Sequence, residues 1–311
     1  MDATMYPEIA LWEAALLLLG GLWAAVWSAG RFVDGAAAVA QRHRVAPFVV
    51  GLVIVGFGTS LPELTISALS SGTGHAALSL GNAYGSNIYN IAVILGVVAL
   101  IRPIRIRPSI RRFAAPILVV SGVLPWMALV YFEAIPRWLA ALLLVLFAYL
   151  LCLLMTDESL PQARTDDAPE VRHPWGWVLV GLSLLLVSSH LVVWGAVGAA
   201  RQLGVPELAI GLTVVAAGTS MPELVTSLVA LRRRQKDLLL GNVIGSNLFN
   251  GLVVVGVSAL VRPIEHVPGL VLLRDMPLMI VLSLMLCTRR ITRCRALVWL
   301  LGFAAYVAVL L

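Results

Sequence analysis

The chain has 311 residues, 60% of them hydrophobic and 12% charged, with a mean hydropathy of +0.95. A soluble domain is about half apolar and about a quarter charged, so a water-soluble globular fold is excluded. The formal charge of +6 sits in short arginine clusters between apolar runs rather than on a basic face interleaved with aromatics, which sets nucleic acid aside and marks the clusters as topology signals.

The start, MDATMYPEIA, has neither the basic n-region nor the small-residue cleavage site of a secretory signal, so the first apolar run is expected to stay as a membrane helix over 9–37. Apolar windows of about 20 residues, the length that spans a bilayer core, predict further helices over 45–71, 76–101, 113–133, 137–155, 175–200, 205–231, 238–261, 269–288 and 296–311. The expected fold class is an all-α polytopic membrane protein with ten transmembrane helices. Loops after odd-numbered helices carry Arg42 and Arg44; Arg102, Arg105, Arg107, Arg111 and Arg112; Arg164 and Arg172; Arg232, Arg233, Arg234 and Lys236; and Arg289, Arg290, Arg293 and Arg295. The other side has Arg137, Arg201, Arg262 and Arg274. The positive-inside rule makes the first set cytoplasmic and puts both termini outside, in a bacterial or archaeal cytoplasmic membrane.

The one sizeable polar connection, 156–174, holds Asp157, Glu158, Asp166, Asp167 and Glu170 among prolines and reads as a solvated linker between two five-helix halves, 1–155 and 175–311. It lacks an EF-hand pattern. Cys152, Cys287 and Cys294 have neither pairing nor metal-ligand spacing.

An internal repeat relates the halves. GTSLPELTIS from Gly58 aligns with GTSMPELVTS from Gly218, and GNAYGSNIYN from Gly81 with GNVIGSNLFN from Gly241, at one offset of 160 residues, within motifs spanning 56–104 and 216–264. The match falls on Pro, Glu, Gly, Ser and Asn, whereas chance similarity between apolar helices would match Leu and Val. Each half holds an odd number of spans, so the second enters the membrane upside down, the inverted-repeat architecture of secondary transporters. The turn Ser71 to His75 is uncharged while its counterpart, Leu231 to Lys236, is basic, as opposite sides require.

Pro62 and Pro222 lie mid-span, where a proline has no N–H to give and its ring clashes with the carbonyl four residues back. Each is expected to break its helix and to free carbonyls near Gly56, Thr59, Ala216 and Thr219 as candidate ligands. Glu63 and Glu223 stand next to the breaks. A carboxylate at that depth is costly unless compensated and marks a functional site. Two glutamates with carbonyls and the hydroxyls of Thr59 and Thr219 make an all-oxygen set that suits one hard divalent cation, calcium better than magnesium. Ser60 and Ser220, in the same motifs, are expected to support the carboxylates. Asn82, Ser86 and Asn90 line one face of the next helix, and Asn242, Ser246 and Asn250 repeat the stripe. Ser86, Asn90, Ser246 and Asn250 are candidate ligands; Asn82, Asn87, Asn242 and Asn247 stand open between supporting the ligands and gluing helices. The GxxxG pairs Gly81–Gly85 and Gly241–Gly245 read as close backbone packing.

GTSxPEL paired with GNxxGSNxxN resembles the two alpha repeats of the sodium/calcium exchanger family, within the cation/calcium antiporter superfamily. The resemblance implies a ten-helix inverted-repeat antiporter, not an enzyme and with no cofactor. In it Glu63 and Glu223 bind calcium with the carbonyls at Thr59 and Thr219. Sodium sites overlap that centre through Glu63, Ser86, Asn90, Glu223, Ser246 and Asn250, with outer positions near Gly56, Thr59, Ala216 and Thr219. Potassium-dependent members have Asp where this chain has Asn250, which argues against potassium co-transport. Calcium/proton exchange on the same fold is the rival, because carboxylates that bind sodium also bind protons. The expected partners are Ca2+, Na+ and the lipid bilayer. Arg31 and Asp34, at i, i+3, are expected to pair, and His190 has no repeat counterpart, Gly30 being at its matching position.

Overall fold

A computed structural model describes residues 9–161, 171–206, 210, 214 and 216–310. Arg164, the linker acids Asp166, Asp167 and Glu170, the first eight residues and much of the expected helix start at 205–215 lie outside the described residues.

The chain is mostly helical: α1 (Leu11–Arg42), α2 (Pro47–Thr59), α3 (Leu61–Gly72), α4 (Ala77–Ile101), α5 (Ile110–Phe132), α6 (Arg137–Met155), α7 (Pro174–Gln202), α8 (Ala216–Thr219), α9 (Met221–Arg232), α10 (Lys236–Val261), α11 (271–285) and α12 (Arg293–Leu310). Among the described residues, α1, α4, α5, α6, α7 and α10 are each long and apolar enough to cross a bilayer, and α2 with α3 makes a further span bent by 50°. Helix α1 runs five residues past its expected end, since AVAQR holds good helix formers and no breaker. Apolar side chains such as Trp12, Leu19 and Trp23 on α1 and Leu179 and Val187 on α7 point outward, as a lipid-facing surface requires. All three cysteines are free.

Helices α1 and α7 pack closely because glycines let their backbones approach. A Cβ on Gly181 would lie 2.7 Å from the Phe32 nitrogen, and one on Gly195 2.8 Å from the Ala14 oxygen. At the centre α2 crosses α10 in the same way: a Cβ on Gly245 would lie 2.6 Å from the Leu52 Cα, and one on Gly56 2.8 Å from the Ser246 nitrogen. The read of Gly241–Gly245 as close packing describes this crossing. Nothing among the described residues comes within 4 Å of such a Cβ on Gly81 or Gly85.

Two short antiparallel pairs clip opposite halves together. Strand β1 (Ile104–Arg105), after α4, pairs with β4 (Arg290–Ile291), before α12; β3 (Ile264–Glu265), after α10, pairs with β2 (Ala134–Ile135), before α6. The adjoining arginines follow the same exchange. Arg293 donates through Nε to the Leu100 carbonyl at 3.1 Å, and Arg137 through Nε to the Leu260 carbonyl at 3.1 Å. Each caps the orphan carbonyls at the end of a helix in the other half.

The expected Arg31–Asp34 pair is corrected. Asp34 takes Arg233 at 3.1 Å, while the Arg31 guanidinium lies 4.7 Å from the Trp177 ring centre and 5.5 Å from that of Trp27. Two aromatic faces from α1 and α7 hold the cation better than a neighbour one turn along.

Candidate cation site

The site is built on two helix breaks. Ser60 leaves helical geometry at φ −88°, ψ 8°, and Ser220 at φ −90°, ψ 10°. Pro62 and Pro222 then occupy the first turns of α3 and α9, where a missing N–H is harmless. Glu63 and Glu223 sit one residue further, in first turns where exposed N–H groups and the helix dipole favour a negative charge. Both glutamates are fully buried.

Helices α4 and α10 carry the two polar stripes past these breaks. Asn82 donates to the Glu63 carbonyl at 3.3 Å and to the Ser67 hydroxyl at 3.0 Å. Asn242 makes the matching bonds, to the Glu223 carbonyl at 3.3 Å and the Ser227 hydroxyl at 2.9 Å. Each asparagine thus fastens the backbone of a carboxylate-bearing residue to the neighbouring helix. Asn242 also accepts from the Thr59 hydroxyl at 3.2 Å. Asn87 reaches across to the Asn247 carbonyl at 3.1 Å, joining α4 to α10, while Asn247 turns back onto the Val243 carbonyl at 2.8 Å. Of these four amides, then, Asn82 and Asn242 hold the glutamates' backbone and Asn87 ties helices.

The carboxylates are held on one oxygen each. Ser86 donates to Glu63 Oε1 at 3.4 Å, and Ser60 crosses to Glu223 Oε1 at 3.1 Å. Glu63 Oε2, Glu223 Oε2 and both amide atoms of Asn90 and of Asn250 are buried with no hydrogen-bond partner among the described residues, while the Ser220 hydroxyl faces the Glu63 carboxylate as Ser60 faces that of Glu223. Ser246 donates to the Gly56 carbonyl at 3.2 Å, and that carbonyl also keeps its helical donor, the Ser60 N–H, at 3.2 Å. Gly56 is therefore not freed by the break, which falls after Thr59. Ala216 and Thr219 begin and end α8; Thr219 is engaged with a neighbour.

Asn90 opens a wide π-helical turn, Asn90–Leu95, and Asn250 lies in its counterpart, Phe249–Val254. Such turns insert an extra residue, re-aim side chains and are frequent at functional sites. Ser67 and Ser227 add to the residues expected from the sequence: both close the repeated motif and lie at i+4 from the glutamates, on the same helix face. No group of three or more His, Cys, Asp or Glu occurs among the described residues. The donors present are two carboxylates with neutral oxygens, a hard set without a soft ligand.

A family model described as sodium/calcium exchanger protein matches residues 13–156 and 173–311. The inner membrane protein YrbG of Escherichia coli (strain K12) is 33% identical, over 89% of this chain and 89% of its own. The sodium/calcium exchanger MaX1 of Methanosarcina acetivorans is 29% identical, over 87% of this chain and 89% of its own. Among solved structures, the sodium-calcium exchanger NCX_Mj soaked with Na+ and Sr2+ superposes with a TM-score of 0.82 and 28% identity, over 96% of this chain and 99% of that one.

Proposed function

The chain belongs to the sodium/calcium exchanger protein family, a family of membrane antiporters, and from that premise we propose that it exchanges calcium for sodium by alternating access through one central site. The observation that carries the reading is the pair of buried glutamates, each with an oxygen that has no partner among the described residues, together with the amide oxygens of Asn90 and Asn250, which have none there either. Buried polar atoms are almost always satisfied, and a dehydrated hard cation is a partner that such carboxylate and amide oxygens suit.

The proposed frame is ten helices in two inverted halves, 1–155 and 175–311, joined by a cytoplasmic linker at 156–174, with both termini outside. The exchanged strand pairs, the reciprocal arginine caps and the matched asparagine clamps support a two-fold relation between the halves. In the proposed site Glu63 and Glu223 supply the charge that balances one Ca2+. Thr59 and Thr219 contribute carbonyls, and Ser86, Asn90, Ser246 and Asn250 complete the oxygen set for Na+.

Charge then enforces the coupling. Two carboxylates in low dielectric are costly to carry uncompensated, so the carrier changes its facing loaded and stays put empty. A ligand moves the balance between the two facings only by as much as its affinity differs between them. The test is calcium uptake into sealed proteoliposomes driven by an outward sodium gradient, repeated with a proton gradient alone. Sodium-driven uptake is expected; uptake driven by protons and indifferent to sodium would replace this reading with calcium/proton exchange.

A further inference from the structure

We propose that a basic cavity of about 1300 Å³ at the α4–α5, α9–α10 and α11–α12 turns binds a phosphate-bearing anion. Among the described residues nine cationic side chains line it, against one lining carboxylate, Asp237; one of the nine, Arg233, is paired with Asp34. The Asp237 carboxylate is already taken. Arg107 grips it with two nitrogens, at 2.8 and 2.7 Å.

The positive-inside rule accounts for the side of the membrane on which these residues lie, but not for their convergence on one concavity from three separate turns. The chain goes further and holds like charges together. In the β1–β4 pair Arg105 stands directly opposite Arg290, and both line the cavity. Like charges at directly opposed positions of an antiparallel pair are destabilising, and an anion held between them would relieve that repulsion. Arg234, in the turn before α10, keeps a left-handed backbone at φ 62° and borders the same space. Arg111, which lines the same space, has its Nε shielded from solvent with no hydrogen-bond partner among the described residues. A buried guanidinium nitrogen without an acceptor costs more than an exposed one. Guanidinium forks match phosphate oxygens in pairs, and several converging on one space distinguish a multiply charged phosphate from chloride.

The same chemistry is offered by an anionic phospholipid headgroup at the bilayer surface and by a soluble polyphosphate. Leu239 and Leu240 line the cavity just before Asn242 on α10, so a bound anion would neutralise the positive field at the end of the helix that carries half of the cation site. This consequence rests on the proposed antiport; binding itself does not.

The test is calorimetric titration of the purified full chain with inorganic tripolyphosphate, alongside thermal unfolding in nanodiscs with and without phosphatidylglycerol. Saturable binding of tripolyphosphate at one per chain, or a phosphatidylglycerol-dependent rise in unfolding temperature, is expected, and the arm that responds identifies the source. The double variant Arg105→Gln/Arg290→Gln should weaken the response about tenfold or more, through the loss of charge-assisted bonds. Arg42→Gln/Arg44→Gln, which removes the same charge from the same end but outside the cavity, should change it less than about twofold. Equal weakening by both pairs would reduce the effect to net charge and overturn the site, as would no response in either arm. None of these readouts requires transport, so a failed uptake assay and a failed anion site are separate results.

Discussion

Replacing the clamp asparagines by alanine should weaken calcium binding unequally, with Asn242→Ala worse than Asn82→Ala. Asn82 makes two side-chain bonds, to the Glu63 carbonyl and Ser67, whereas Asn242 makes the equivalent two and also receives the Thr59 hydroxyl. A side-chain hydrogen bond between membrane helices contributes about 0.6 kcal/mol on average, so the losses are about 1.2 and about 1.8 kcal/mol. Each 1.4 kcal/mol is a factor of ten, which converts them to about sevenfold and about twentyfold weaker binding if the whole loss falls on site geometry. The assay is calcium calorimetry on purified protein, with thermal unfolding measured in parallel to separate affinity from folding. Adding Ser67→Ala to Asn82→Ala should cost little more, since that serine keeps only a long bond to the Ser79 carbonyl, at 3.5 Å. Equal affinities in both variants, or a larger loss in Asn82→Ala, would refute the clamp.

Glu63→Gln and Glu223→Gln should each abolish calcium transport while leaving the protein inserted and folded, as checked by uptake and by monodisperse elution; robust exchange in either would remove that residue from the site. Calcium exchange should be indifferent to potassium at fixed membrane potential, because Asn90 and Asn250 offer neutral amides; Asn250→Asp is the variant expected to change this, and potassium stimulation of the unmodified protein would contradict it. Gly245→Ala should lower the unfolding temperature, since its Cβ would meet the Leu52 backbone at 2.6 Å and no side chain can rotate away; overpacking of this kind costs about 1–3 kcal/mol, and an unchanged melting curve would show that the α2–α10 crossing can part freely.

Much of this arrangement is legible in the residues because the repeat is written in polar and helix-breaking types, whose positions in a membrane chain are constrained more tightly than those of Leu or Val. Glu63 and Glu223 stand out by charge alone. Asn82 and Asn242 are ambiguous in sequence, because the same amide serves as glue or as support; only the bonds to the Glu63 and Glu223 carbonyls decide. Ser67 and Ser227 are hidden by their ordinariness, as serine is common in membrane helices and its partner lies on another helix. The π-helical turns at Asn90–Leu95 and Phe249–Val254 leave no hydropathy signal, because one extra residue per turn does not alter an apolar run. Sequence distance alone pairs Arg31 with Asp34, while the close glycine packing of α1 on α7 brings in Trp177 and leaves Asp34 to Arg233.

In the proposed antiport, sodium and calcium share the carboxylates of Glu63 and Glu223 instead of occupying separate places. Two negative charges cannot hold a divalent ion together with several sodium ions in low dielectric without leaving positive charge uncompensated. The direct measurement is calcium titration of the purified protein by calorimetry at several sodium concentrations, with ionic strength held constant by choline. A shared site predicts that calcium affinity falls steadily as sodium rises, with unchanged stoichiometry; an affinity that stays flat across the sodium series would contradict it.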